Sequence, residues 1–120
     1  MIYALFLISL VQPRMHKHYQ VSLPYKNRSL GAAAYHLCLI ANNKAVLAFE
    51  STVRIWDFAA SWLIIKEAGG TIEPHGNNQP FPAEPGIDYH KIPFPIIAAA
   101  SQDVLDRARK NIIQNKPFGG

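Results

Sequence analysis

Hydrophobic and polar positions along this chain change period several times, and the changes mark its elements. Residues 2–10 form an apolar run rich in Ile, Leu and Phe, which reads as a buried strand. Pro13 permits a short helical turn to about Tyr19, and 21–23 extend before Pro24 breaks the chain. From Ser29 to about Ala41 the apolar residues fall at Leu30, Ala33, Ala34, Leu37, Cys38 and Ala41, the spacing of one helix face. Asn42-Asn43 is a turn, and residues 44–50 form a strand carrying Val46, Leu47 and Phe49 and ending at Glu50. A helix follows from Trp56. Between Phe58 and Ile65 it is apolar or small on every side apart from Ser61, so the pattern predicts a helix buried between layers, with Trp56 and Trp62 as core aromatics.

The glycine pair Gly69-Gly70 supplies the left-handed exit from that helix, and 71–73 form a short strand. Residues 74–93 hold Pro74, Pro80, Pro82, Pro85 and Pro93, too many for a regular element, and are predicted to be a long loop. Residues 95–100 read as a fully buried strand. Ser101 then caps a last amphipathic helix to about Gln114, with Asp103 in its first turn and Arg107, Arg109 and Lys110 towards its end, as the helix dipole prefers. Strand, helix, strand, helix, strand, loop, strand, helix is an α/β order, and 120 residues suit a single domain over 1–120.

The chemistry concentrates at Asp57, an acid at the mouth of an otherwise oily helix. The start of a helix favours an anion, so Asp57 reads either as an N-cap or as a site residue. Its setting decides the emphasis. The run Trp56-Asp57-Phe58-Ala59-Ala60, followed by Glu67-Ala68-Gly69-Gly70, resembles the C-terminal signature of the inositol monophosphatase family. Upstream, Arg28-Ser29-Leu30-Gly31-Ala32-Ala33-Ala34 is similar to that family's Arg-Ser-hydrophobic-Gly-small-Ala segment. The spacing from Gly31 to Asp57, with Glu50 seven residues before Asp57, fits as well.

The resemblance implies the C-terminal α/β part of a layered α-β-α-β-α sandwich and a magnesium-dependent phosphomonoesterase acting on inositol monophosphate or a similar small polyol phosphate. It implies that Asp57 is a magnesium ligand that also touches a substrate hydroxyl, that Glu50 accepts from hydroxyls of the alcohol, and that the backbone at Gly31 and Ala33 lies beside it. Ala32 stands where a hydroxyl residue is common, and Ser61 where the family often has Gly or Ala. The family's N-terminal half carries a Glu-Glu pair and an Asp-Pro-hydrophobic-Asp-Gly-Thr segment that supply most metal ligands. None of the eight acids of this chain forms that segment. The expectation is therefore a C-terminal half, inactive alone, with no catalytic residue of its own. Its expected partners are the polyol phosphate and either the N-terminal half or a second copy. The other readings are a non-catalytic packing or dimerising module and, within the same fold, a fructose-1,6-bisphosphatase or a 3'(2'),5'-bisphosphate nucleotidase.

Composition and the remaining residues add further points. A hydrophobic fraction of 49% against 17% charged places the chain on the apolar side of ordinary proteins, as expected if part of its surface is normally covered. The net charge of +4 comes with no nucleic-acid motif, so a solvated basic face is favoured over a nucleic-acid partner. Residues 1–11 are too few to span a bilayer, which needs ~20, and no membrane partner is expected. The single cysteine, Cys38, forms no internal disulfide and suits a reducing cytoplasm, where it reads as a small core residue. Arg54 reads as solvated, His36 as a hydrogen-bonded packing histidine, and His75 and His90 as loop residues without evident partners. His16 and His18 lack a third ligand for a metal.

Overall fold

A computed structural model describes residues 8–11, 19–21, 26–28, 32–76 and 79–114. Among the described residues seven strands and three α-helices follow one another as β1 (Ile8–Val11), β2 (Tyr19–Val21), β3 (Lys26–Arg28), α1 (Ala33–Ala41), β4 (Leu47–Val53), α2 (Ile55–Glu67), β5 (Thr71–Pro74), β6 (Phe94–Ala99), α3 (Gln102–Lys110) and β7 (Ile112–Gln114). A single 3₁₀ turn, Tyr89–Lys91, interrupts the proline-rich loop. The fold is α/β, as the order of elements predicted. Of the 2–10 strand, residues 8–10 lie within β1 and the rest lie outside the described residues, as do most of the 13–19 turn, Pro24 and the 29–31 start of the first helix.

Five strands form a mixed sheet in the order β3-β1-β4-β6-β5. β1 runs parallel to both β3 and β4, whereas β4–β6 and β6–β5 are antiparallel. The central strands β4 and β6 are covered on both faces. One core unites Leu37 and Ile40 of α1 and Phe58 and Ile65 of α2 with Ala48, Val53, Phe94, Ile96, Ala98 and Ile72 of the sheet. On the opposite face Leu47, Phe49, Ile97 and Ala99 meet Leu105 and Ala108 of α3, with Tyr19 and Ile112 from the two-stranded β2–β7 ribbon.

These two cores expose a change of phase inside β4. Side chains alternate between sheet faces with period two, so Leu47 and Phe49 face α3 while Ala48 and Glu50 face α1 and α2. Val53, an odd position, should share the side of Leu47, yet it belongs to the helix-facing core. The pairing register with β6 shifts between Glu50 and Val53, and that irregularity inverts the alternation. β4 thus continues past the predicted end at Glu50, which sits in mid-strand, and it delivers the chain to α2 on the correct face.

Helix exits follow from their residues. Gly69 has φ +87°, its N–H bonds Lys66 O at 3.2 Å, and Gly70 N–H bonds Ile65 O at 3.0 Å, the paired closure of a Schellman turn. Gly70 is needed for a different reason: a Cβ there would lie 3.1 Å from Ile65 Cγ2 and 3.2 Å from Ala99 O, so helix end and sheet edge approach too closely for a side chain. Asn43, at φ +62°, ends α1 in the same way. Ser101 Oγ accepts from Val104 N–H at 3.3 Å and caps α3, which ends at Lys110 rather than near Gln114 because Ile112 to Gln114 pair with β2 instead.

Two expectations of burial are corrected. α2 is not enclosed: Phe58, Ser61 and Ile65 point inward, but Ala59, Ala60, Leu63 and Ile64 are exposed and Trp56 is 56% exposed. The all-round apolar pattern fits a helix with layers on both sides, and among the described residues only the sheet side is covered. Trp62 is half-buried against Phe58 and Phe81. Cys38, placed in the core by the sequence pattern, is exposed, because α1 turns His36, Leu37 and Ile40 inward. No helix among the described residues is long and apolar enough to cross a membrane.

His75 is not an unattached loop residue. Its Nε2–H donates to Ile112 O at 3.1 Å, and its ring packs on Phe49 and Tyr19 with centroids 5.2 and 6.0 Å away, tying β5 to the β2–β7 ribbon. Its Nδ1 is buried without a hydrogen-bond partner among the described residues. Burial lowers its pKa from the ordinary 6.5; the Arg109 charge adds to this and the Ile112 hydrogen bond opposes it. A depressed histidine stabilises the fold above its unfolded value, and that stability is lost as pH falls through the folded value. His75 therefore contributes a loss of stability towards acid, and in chemical denaturation between pH 7.5 and 5 the His75→Phe variant should gain on the wild type as pH falls below 6.5.

Candidate functional site

The site lies where mid-β4 faces the start of α2. Arg54, extended at φ −94° and ψ 163°, is the N-cap, and Asp57 stands three residues on. Asp57 is therefore not the N-cap itself. Its Oδ2 reaches back to accept the Arg54 N–H at 3.0 Å, the carboxylate half of a capping box, and its charge sits in the positive first turn of the helix. The side chain is half-buried, and Oδ1 has no protein partner among the described residues. One oxygen is thus fixed by the backbone and the other is available.

Glu50 is only 1% exposed, the reverse of an open strand-end acid. It lies on the helix-facing side of β4, under α1, and its Oε1 meets Nδ1 of His36, itself 1% exposed. The packing-histidine reading of His36 holds, and its partner turns out to be a candidate site residue. An ionised carboxylate can only accept, so in that state Nδ1 carries the hydrogen. Burial pushes the Glu50 carboxyl above its ordinary value of 4.5, and the His36 hydrogen bond and charge pull it down. The charge of Asp57 raises it further, which places the two carboxylates in one electrostatic neighbourhood. Oε2 of Glu50, like Oδ1 of Asp57, has no protein partner among the described residues.

Of the other sequence candidates, Ala33 is the first residue of α1 and half-buried, and Gly31 lies outside the described residues. Ala32 is the α1 N-cap and makes no side-chain cap, as expected from its missing hydroxyl. His16 and His18 also lie outside the described residues. Arg54 is half-buried as the α2 N-cap. His90, on the loop, stacks on Trp56 at 5.2 Å and 30°, so the long loop folds back over the first turn of α2. The contact between His36 and Glu50 was not legible from spacing. Its only signal was a single polar side chain on the inward face of an otherwise apolar helix.

Magnesium takes hard oxygen ligands in a near-octahedral set. Among the described residues no three His, Cys, Asp or Glu gather into a group that could hold a metal ion. Asp57 offers one free oxygen, and Glu50 has one oxygen engaged by His36. The described residues therefore do not fit a magnesium ion by themselves.

A family model described as the inositol monophosphatase family matches residues 7–111. The chain belongs to the inositol monophosphatase family. Inositol monophosphatase 1 of Xenopus laevis is 33% identical over 85 residues, covering 71% of this chain and 27% of that protein. The Nus factor SuhB of Haemophilus influenzae is 44% identical over 45 residues, 38% of this chain and 17% of its own length. Among solved structures, inositol monophosphatase II of Staphylococcus aureus superposes with a TM-score of 0.64 at 13% identity, over 90% of this chain and 40% of that one. The suhB protein of Bartonella henselae superposes at 0.59 and 21% identity, over 87% and 40%. These likenesses show the fold, and the chain spans less than half the length of the relatives it matches.

The buried Glu50 of this inositol monophosphatase family chain has a measurable consequence. An acid whose folded pKa is raised contributes stability that is fully present below its unfolded value and is lost as pH rises through the folded one. Glu50→Gln removes that loss while keeping an acceptor for His36. Thermal unfolding should show the variant gaining on the wild type as pH rises from 4.5 to 8, with the smallest difference at the acid end.

Proposed function

We propose that this chain forms one wall of a metal-dependent phosphomonoesterase site for inositol monophosphate or a similar small polyol phosphate. In this reading it corresponds to the C-terminal α/β part of the layered family sandwich and is inactive by itself. The observation that carries the reading is a pair of neighbouring carboxylates, each with one oxygen held by the protein and one oxygen not. Asp57 is fixed by Arg54 N–H and offers Oδ1 to a cation or a substrate hydroxyl; Glu50 is fixed by His36 and offers Oε2 to a hydroxyl. Magnesium is the ion proposed, and its remaining ligands come from outside the described residues. Ala33 and Gly31 would bring backbone beside the alcohol at the start of α1. A reducing cytoplasm is the compartment that the lone Cys38 suits.

A non-catalytic packing or dimerising module is the second reading, and one observation favours it. The outer face of α1 and α2 carries Tyr35, Trp56, Leu63 and Ile64 in the open, with exposures from 48% to 62%. The same face also serves the first reading, as the seat for a companion portion bearing the metal-binding segment.

The test is complementation. The chain is co-expressed with a separate polypeptide carrying a relative's Glu-Glu and Asp-Pro-hydrophobic-Asp-Gly-Thr segments. Phosphate release is then measured on inositol monophosphate, fructose bisphosphate and a nucleotide bisphosphate, with and without magnesium. The expected outcome is magnesium-dependent release by the complex and none by the chain alone, with Asp57→Asn lowering the rate by about 100-fold as a lost metal-shell carboxylate does. A complex that assembles but never releases phosphate favours the packing module, and full activity in Asp57→Asn removes Asp57 from the site.

A further inference from the structure

We propose that His36 is the positioning residue of this site: it holds Oε1 of Glu50 so that Oε2 is the oxygen presented to a polyol hydroxyl. The proposal rests on the reading of Glu50 as a hydroxyl acceptor and goes beyond it by assigning the residue that orients it.

Three features carry the inference. A glutamate side chain has three rotatable bonds, and in a site closed to water its orientation is set by its hydrogen bonds and its packing. For Glu50 the hydrogen bond is with His36, 14 residues away, and both side chains are at most 2% exposed. The imidazole is itself rigid, because α1 presses His36, Leu37 and Ile40 inward together over the central strand. Finally, a carboxylate has two oxygens, and the hydrogen bond with His36 engages only one of them. Here Oε2 has no protein partner among the described residues, while the neighbouring Asp57 keeps an oxygen of its own free. The pair therefore presents an oriented acceptor beside a second carboxylate. His36 thus sets which oxygen of Glu50 is turned towards a polyol.

The test uses the full chain and myo-inositol alone, with binding followed by saturation-transfer NMR and folding by circular dichroism melts. Four variants are compared with the wild type: His36→Asn, which keeps a donor, His36→Leu, which does not, Glu50→Gln, and the His36→Leu/Glu50→Gln double variant. Loss of the donor to a charged acceptor should weaken binding about 10-fold or more in His36→Leu, and His36→Asn should stay within about 3-fold of the wild type. The double variant should bind no more weakly than Glu50→Gln, because the two residues act as one unit. A His36→Leu chain that folds and binds like the wild type, while Glu50→Gln binds weakly, overturns the role of His36 and leaves that of Glu50 standing. Equal signals from wild type and Glu50→Gln overturn the reading of Glu50 and this proposal with it. A measurement on the wild type needs no variant: inositol should shift the Glu50 carboxyl carbon while the His36 Nδ1–H resonance stays in place. A disappearance of that resonance as inositol binds, with Glu50 turning both oxygens to the polyol, overturns the inference.

Discussion

A charge removed from water is the constraint around which this fold is arranged. Glu50 sits in the middle of the central strand, with α1 and α2 above it and the second core on the far side of the sheet. A lone buried carboxylate is costly, and in proteins it survives by pairing or by giving up its charge. His36 supplies the pairing from a helix that is otherwise apolar on its inner face. That arrangement requires α1 to lie across β4 at one rotation and one height. It also requires Glu50 and Ala48 to share a sheet face, and the chain to change phase afterwards so that Val53 can rejoin the same core. The irregularity between Glu50 and Val53 is then a working part of the strand, and it leads the backbone directly to Arg54 and the cap at Asp57.

The alternation of apolar residues and the two short motifs made much of this readable in advance. The helix from Trp56, its glycine exit, the buried 95–100 strand and the Ser101 cap all arise from local physical chemistry, and local chemistry is what one sequence displays. Asp57 stood out for the same reason. What stayed hidden depended on distant partners. Glu50 looked like a strand end because nothing in 44–50 announces a phase change with β6. Cys38 and Trp56 looked like core residues because composition alone cannot say which apolar side of a helix the sheet will take. His36 and His75 found partners 14 and 37 residues away, beyond the reach of any periodicity.

Membership in the inositol monophosphatase family gives the exposed apolar face of α2 a physical meaning. A helix that is apolar all round is built for layers on both sides. Among the described residues the sheet covers one side of α2, and Trp56, Leu63 and Ile64 stay exposed on the other.

The β2–β7 ribbon imposes an order of events on the chain. Tyr19 and Val21 pair with Gln114 and Ile112, and His75 leans on the carbonyl of Ile112. Tyr19 and Val21 therefore find these partners only once residues 112–114 have been synthesised. The second core closes only when Ile112 arrives to join Tyr19, Phe49 and Leu105. On the ribosome the ribbon can close over the second core only after Ile112–Gln114 have emerged.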